Sequence, residues 1–157
     1  MCHPKCNNKT TSTIVNVSKF TDYALRLCLY LVANQDKVVP VSEIAEAHQL
    51  PQSSLLKVVL RLVEGEFLVS TRGRAGGVQL SRPAAEIRIG DLVQFMEGDG
   101  EMVDCTGCLL QGSCGLTKTL REAKRDFYKS LNRSSLADAA LSHPRTLALL
   151  LAASPKG

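Results

Sequence analysis

The stretch from Val41 to Pro83 constrains the fold more than any other part of the chain. "VSEIAEAHQL" has the pattern of a short helix, with Ser42 available as its cap and Glu43 and Glu46 early, where the helix dipole favours acids. "PQSSLLKVVLRLVEGE" predicts a second helix, with Pro51 preset for its first turn and Gly65 near its end. Its apolar face is Leu55, Val58, Val59, Leu62 and Val63. The tight "HQL" connection makes the pair a helix-turn-helix. "FLVSTRGRAGGVQLSRP" then supplies two β-rich runs, Phe67 to Thr71 and Val78 to Leu80, around a tip with three glycines and two arginines. Helix-turn-helix followed by a basic hairpin is a winged helix-turn-helix.

Charge supports a polyanionic partner in this region. The net charge of the 157 residues is only +4, but six basic residues face three acidic ones between Lys57 and Arg88. Gln52, Ser53, Ser54 and Lys57, at the start of the second helix, are placed to read a major groove, and Arg61 to reach phosphate. At the wing tip Arg72 and Arg74 are expected to enter or straddle a minor groove, and Gly76 and Gly77 to let the backbone approach DNA closely.

The flanking segments complete a mainly α chain with a small β-hairpin wing. Phe20, Ala24, Leu27, Cys28, Leu31 and Val32 recur at helical spacing from Ser18, an N-cap candidate, to Asn34. Cys28 is a core residue of that stripe. "EIRIGDLVQFMEG" predicts a helix over about 89–96 that ends near Gly98. A longer helix over about 115–131 places Leu116, Leu120, Ala123, Phe127 and Leu131 on one stripe, which an antiparallel or crossed pairing in a homodimer would bury. The expected organisation is a disordered leader (1–14), a winged domain (15–98), a cysteine loop (99–114), a dimerisation helix and following segment (115–141), and a tail (142–157) to which no element is assigned. No apolar run reaches the roughly 18 residues a membrane span needs, and no signal peptide is evident, so the expected location is the cytoplasm. No paired acid and base or nucleophile constellation suggests an enzyme.

"DCTGCLLQGSCGL" raises a separate question, because it puts Cys105, Cys108 and Cys114 into one short loop of a chain with six cysteines. In the reducing cytosol such thiols read as metal or redox residues rather than as a disulfide framework. Gly107 and Gly112 let the loop fold back, bringing three thiolates within reach of one centre. A structural zinc site usually has four ligands, and an iron-sulfur cluster accepts a non-cysteine fourth ligand. Iron-sulfur is favoured from spacing, with zinc and thiol redox chemistry still open. Cys2, His3 and Cys6 of "CHPKC" are minor candidates for further ligands.

"FTDYALR", "RGRAGGVQL", "IRIGDLV", the cysteine loop and "SLADAA" together resemble the winged-helix iron-sulfur repressors of the Rrf-two family, over roughly 15–140. Within the family the pattern is most similar to the nitric-oxide-responsive branch, and more distantly to regulators of iron-sulfur assembly or iron supply, which are the alternative function. The resemblance implies a homodimer on double-stranded DNA with a palindromic operator, and one cluster per subunit. For that branch it implies a 4Fe-4S cluster that reacts with nitric oxide, whereupon DNA is released. Carried over by position, Cys105, Cys108 and Cys114 are the thiolate ligands, and Asp22 matches an aspartate that in one type of these repressors reaches the partner subunit's cluster as fourth ligand. Two features depart from the pattern. Only two residues separate Cys105 from Cys108, fewer than is usual in that branch, which keeps a 2Fe-2S cluster as the alternative nuclearity. The family's usual start aligns with Val15, so the natural chain is expected to begin there.

Overall fold

A computed structural model describes residues 16–153. The expected leader, the start at Val15 and the ligand candidates Cys2, His3 and Cys6 lie outside the described residues. Helix α1 (Lys19–Ala33) starts on Ser18, whose hydroxyl accepts from the Thr21 amide, and ends at Asn34. Its stripe, Ala24, Leu27, Cys28 and Leu31, is almost wholly buried and forms the spine of the domain. Burial pushes the Cys28 thiol up to about 12, so this cysteine is a neutral packing residue.

Helices α2 (Val41–Ala47) and α3 (Gln52–Glu64) form the helix-turn-helix. Their caps differ from expectation. Pro40 holds the N-cap position of α2 in extended backbone, so Ser42 falls inside the first turn and caps nothing; Pro51 likewise precedes α3 instead of beginning it. A proline fixes φ and needs no amide partner, which suits it to a helix start without a side-chain cap. Leu55, Val58 and Leu62 of α3 are fully buried against α1 and α2.

Strands β1 (Leu68–Thr71) and β2 (Gly77–Leu80) pair antiparallel, Leu68 opposite Leu80 and Thr71 opposite Gly77. The hairpin is pinned near its tip end by a bridge to the connector before α2, where Val39 and Val78 exchange backbone hydrogen bonds of 2.9 and 2.8 Å.

After a single 3-10 turn (Ala84–Glu86), α4 (Ile89–Glu97) runs to Gly98, and the loop over 99–114 leads into α5 (Gly115–Leu131). The chain then returns to the winged domain. Ser135 starts α6 (Leu136–Leu141) with a reciprocal capping box to Asp138, and Leu136 and Ala140 are fully buried. The segment after 142, to which no element was assigned, contains α7 (Pro144–Ala153), packed on α1 and α6. Among the described residues, no helix is long and apolar enough to cross a membrane.

Candidate functional site: a DNA-reading face and a cysteine loop

The outer face of α3 carries Gln52, Ser53 and Lys57 exposed and Ser54 half-buried, as expected for a helix that enters a groove. Leu56 and Leu60, 46% and 72% exposed, share that face and were missed because leucine is read by default as core. At the wing tip Arg72 and Arg74 are exposed and neither is in an ion pair among the described residues. Gly76 and Gly77 have an internal reason for being glycine. A Cβ on Gly76 would meet the Thr71 carbonyl at 2.5 Å, and one on Gly77 would meet the Val39 carbonyl at 2.3 Å. Arg61 is exposed but directed to α4: its Nη2 donates to the Phe95 carbonyl at 3.0 Å, and its guanidinium lies 5.1 Å from the Phe95 ring centre.

The cysteine loop is a chain of tight turns. Asp104 accepts from the Thr106 amide at 2.8 Å, an interaction that holds its carboxyl below the usual range. The amides of Cys108, Gln111 and Ser113 donate to the carbonyls of Cys105, Cys108 and Leu110. Gly107 and Gly112 sit at φ 73° and 84°, in the left-handed region where glycine is least strained. The loop wraps an open hollow of about 840 Å³ whose walls include Cys105, Cys108 and Cys114, together with Lys118 and Arg121 of α5.

All three thiols are free. Cys114 occupies the N-cap position of α5. The amides of Thr117 and Leu116 face its sulfur, without forming a full capping hydrogen bond, and lower the thiol below its ordinary range. The positive end of a helix favours a thiolate in this way. Cys105 lies 3.9 Å from the Thr117 hydroxyl, and Arg121, in the same wall, is paired to Glu101 at 2.7 Å.

Three soft thiolate donors around one hollow are the donor chemistry that an iron-sulfur group takes. The residues therefore fit such a group in kind. Among the described residues, no three His, Cys, Asp or Glu side chains are already gathered closely enough to hold a single metal ion. Asp22 is not in the wall of its own chain's hollow. It lies on α1 and grips Arg26 one turn on through two contacts, 3.0 and 2.9 Å.

A helix-turn-helix with its reading helix exposed, a basic wing beside it and a thiol-lined loop behind it define a winged-helix DNA-binding protein. The comparisons with known proteins agree. The sequence matches the Rrf2 family, described as iron-dependent transcriptional regulator, over residues 17–141, and the chain belongs to that family. It is 35% identical over 142 residues to the HTH-type transcriptional regulator NsrR of Oceanobacillus iheyensis, covering 87% of this chain and 97% of that protein. It is 33% identical over 148 residues to the HTH-type transcriptional repressor NsrR of Streptomyces coelicolor, covering 91% and 100%. Among solved structures, the global cysteine regulator CymR of B. subtilis superposes with a TM-score of 0.67 at 23% identity, covering 83% of this chain and 99% of that one. IscR of T. potens superposes with a TM-score of 0.65, also at 23% identity, covering 83% and 90%. At that identity the two structures bear on the fold alone.

Proposed function

We propose that this regulator is a cytoplasmic, homodimeric repressor that reads a palindromic operator while its loop holds an iron-sulfur cluster, one per subunit, and that releases DNA when nitric oxide attacks the cluster. The observation that carries this reading is the shared hollow of Cys105, Cys108 and Cys114, lying between the end of α4 and the start of α5. The resemblance of the sequence motifs to the nitric-oxide-responsive branch favours nitric oxide as the signal and 4Fe-4S as the cluster, and the likeness to two NsrR proteins accords with it. When bound, such a cluster would supply iron able to react with nitric oxide.

The rest is work for the chain's own residues. Cys105, Cys108 and Cys114 would hold the group, Cys114 from the N-cap of α5 and Cys105 from beside Thr117. Leu116 and Phe127 of α5 remain 61% and 37% exposed in the single chain, an apolar stripe that a second copy would cover. Asp22, half-buried in the first turn of α1 and paired to Arg26, is the carboxylate that would be offered to the partner's loop as fourth ligand. The loop thus links the DNA-reading unit to the dimer helix. Two reading helices must meet half-sites about one turn, roughly 34 Å, apart, so a small change at the loop is enough to break their registry. Gln52, Ser53, Ser54 and Lys57 would read bases, while Arg72 and Arg74, with the close-turning Gly76 and Gly77 backbone behind them, would enter the minor groove.

Anaerobic purification tests the reading. A brown protein with iron and acid-labile sulfide in equal amounts, lost on changing Cys105, Cys108 or Cys114 to Ala, is expected. A colourless protein that holds stoichiometric zinc instead would overturn it.

A further inference from the structure

The last turn of α4 stands where the DNA-reading helix, the wing and the cysteine loop meet. Arg61, on the third turn of α3, reaches it twice, through the hydrogen bond to the Phe95 carbonyl and by lying over the Phe95 ring. The same ring presses on the end of α3, since a Cβ on Gly65 would fall 2.6 Å from it. It also packs on Phe67 at 5.5 Å, at the root of the wing. Arg82 secures that root from the other side, over the Phe67 ring at 5.3 Å and donating to the Glu66 carbonyl at 3.0 Å. Three residues beyond Phe95 the chain leaves α4 at Gly98 and enters the loop. Phe95 therefore sits within one helical turn of the start of the loop.

We propose that Arg61 is a positioning residue, not a phosphate contact: with Phe95 it fastens the DNA-reading helix to the turn of α4 that feeds the cysteine loop, and so transmits the state of the loop to the operator. The transmission half of this statement rests on the cluster-dependent reading above; the positioning half does not. Arginine suits the task because its planar guanidinium can lie on a ring and donate to a carbonyl at the same time, which a lysine ammonium cannot do with one geometry.

Salt dependence separates the two roles. Each phosphate contact contributes about 0.9 to the slope of log affinity against log salt, so a lost contact flattens the slope by that amount. The test measures operator binding across salt for full-length wild type, Arg61→Met, Arg61→Lys and Phe95→Leu, with thermal unfolding run on each to show that it is folded. Expected are an affinity lowered about tenfold in the cluster-loaded Met and Lys variants, an unchanged salt slope, and a non-additive Arg61→Met/Phe95→Leu double variant. The ratio of cluster-loaded to cluster-free affinity should shrink in the same variants. A slope flattened by about 0.9 in Arg61→Met and restored in Arg61→Lys would overturn the proposal, as would wild-type affinity in Arg61→Met. If wild type itself binds equally well with and without cluster, the cluster-dependent reading fails, and the salt slopes still decide the role of Arg61.

Discussion

Changing Leu116 to Asp on the exposed stripe of α5 tests the proposed dimer. Leu116 is 61% exposed in the single chain and Phe127 37%. Complete burial of a leucine side chain is worth roughly 1.5–3 kcal/mol, so covering the exposed part of Leu116 would stabilise a dimer by about 1–2 kcal/mol per copy. Two copies meet in a symmetric pair, which doubles the loss to about 2–4 kcal/mol. At 1.4 kcal/mol per tenfold, the dimer dissociation constant should rise by about 30- to 700-fold, before any penalty for the new charge. Sedimentation equilibrium of wild type and Leu116→Asp over a range of concentrations reads that change directly. Because Leu116 is exposed, the variant should keep its fold, which thermal unfolding would verify. A Leu116→Asp protein with the wild-type dissociation constant, or a wild type monomeric at every accessible concentration, would refute the assignment of this stripe to the dimer.

Other consequences concern individual groups. Burial opposes ionisation of Glu97, but hydrogen bonds from the Thr21 hydroxyl and the Ser18 amide outweigh it and hold the carboxyl below its usual range. A depressed carboxylate contributes stability that is present above its unfolded value, about 4.3, and lost as pH falls through the folded value. Glu97→Gln should therefore unfold at lower temperature than wild type at pH 7, with the gap closing below about pH 4; a gap that persists in acid would contradict the cause. In cluster-free protein, Cys114 should be alkylated faster at neutral pH than Cys108, and Cys28 not at all until the chain unfolds, as read by peptide mass spectrometry. Preferential labelling of the more exposed Cys108 would show that the α5 amides do not activate Cys114. Arg72→Ala should weaken binding to all DNA and flatten the salt slope by about 0.9, whereas Ser54→Ala should change which operator bases are preferred; selection from random DNA separates the two.

Much of the framework was legible because it rests on local signals. The 3.6-residue stripes of α1, α3 and α5, the Ser18 cap and the glycine-rich basic tip each lie within one segment. Helix α7 escaped because "LALLLAA" is apolar all round and shows no amphipathic period. α6 escaped because it is short and its capping box uses Asp138 where Glu or Gln is the usual signal. Within the site, the three cysteines announce themselves by spacing. The contact of Arg61 with α4 does not, since its partner Phe95 is 34 residues away. Nor does the tie between Ser18 and Glu97, which spans 79 residues. Contacts of that reach are set by how α4 packs against α1 and α3, and no window of sequence contains both ends.

The central claim, that the cysteine loop governs DNA binding, is tested most directly by one titration under anaerobic conditions. An operator selected by the cluster-loaded protein would be titrated with that same preparation before and after stoichiometric nitric oxide, and with the Cys108→Ala variant. Tight binding only before nitric oxide, and none approaching it in the variant, is the predicted result. Equal affinity in all three samples would contradict the claim.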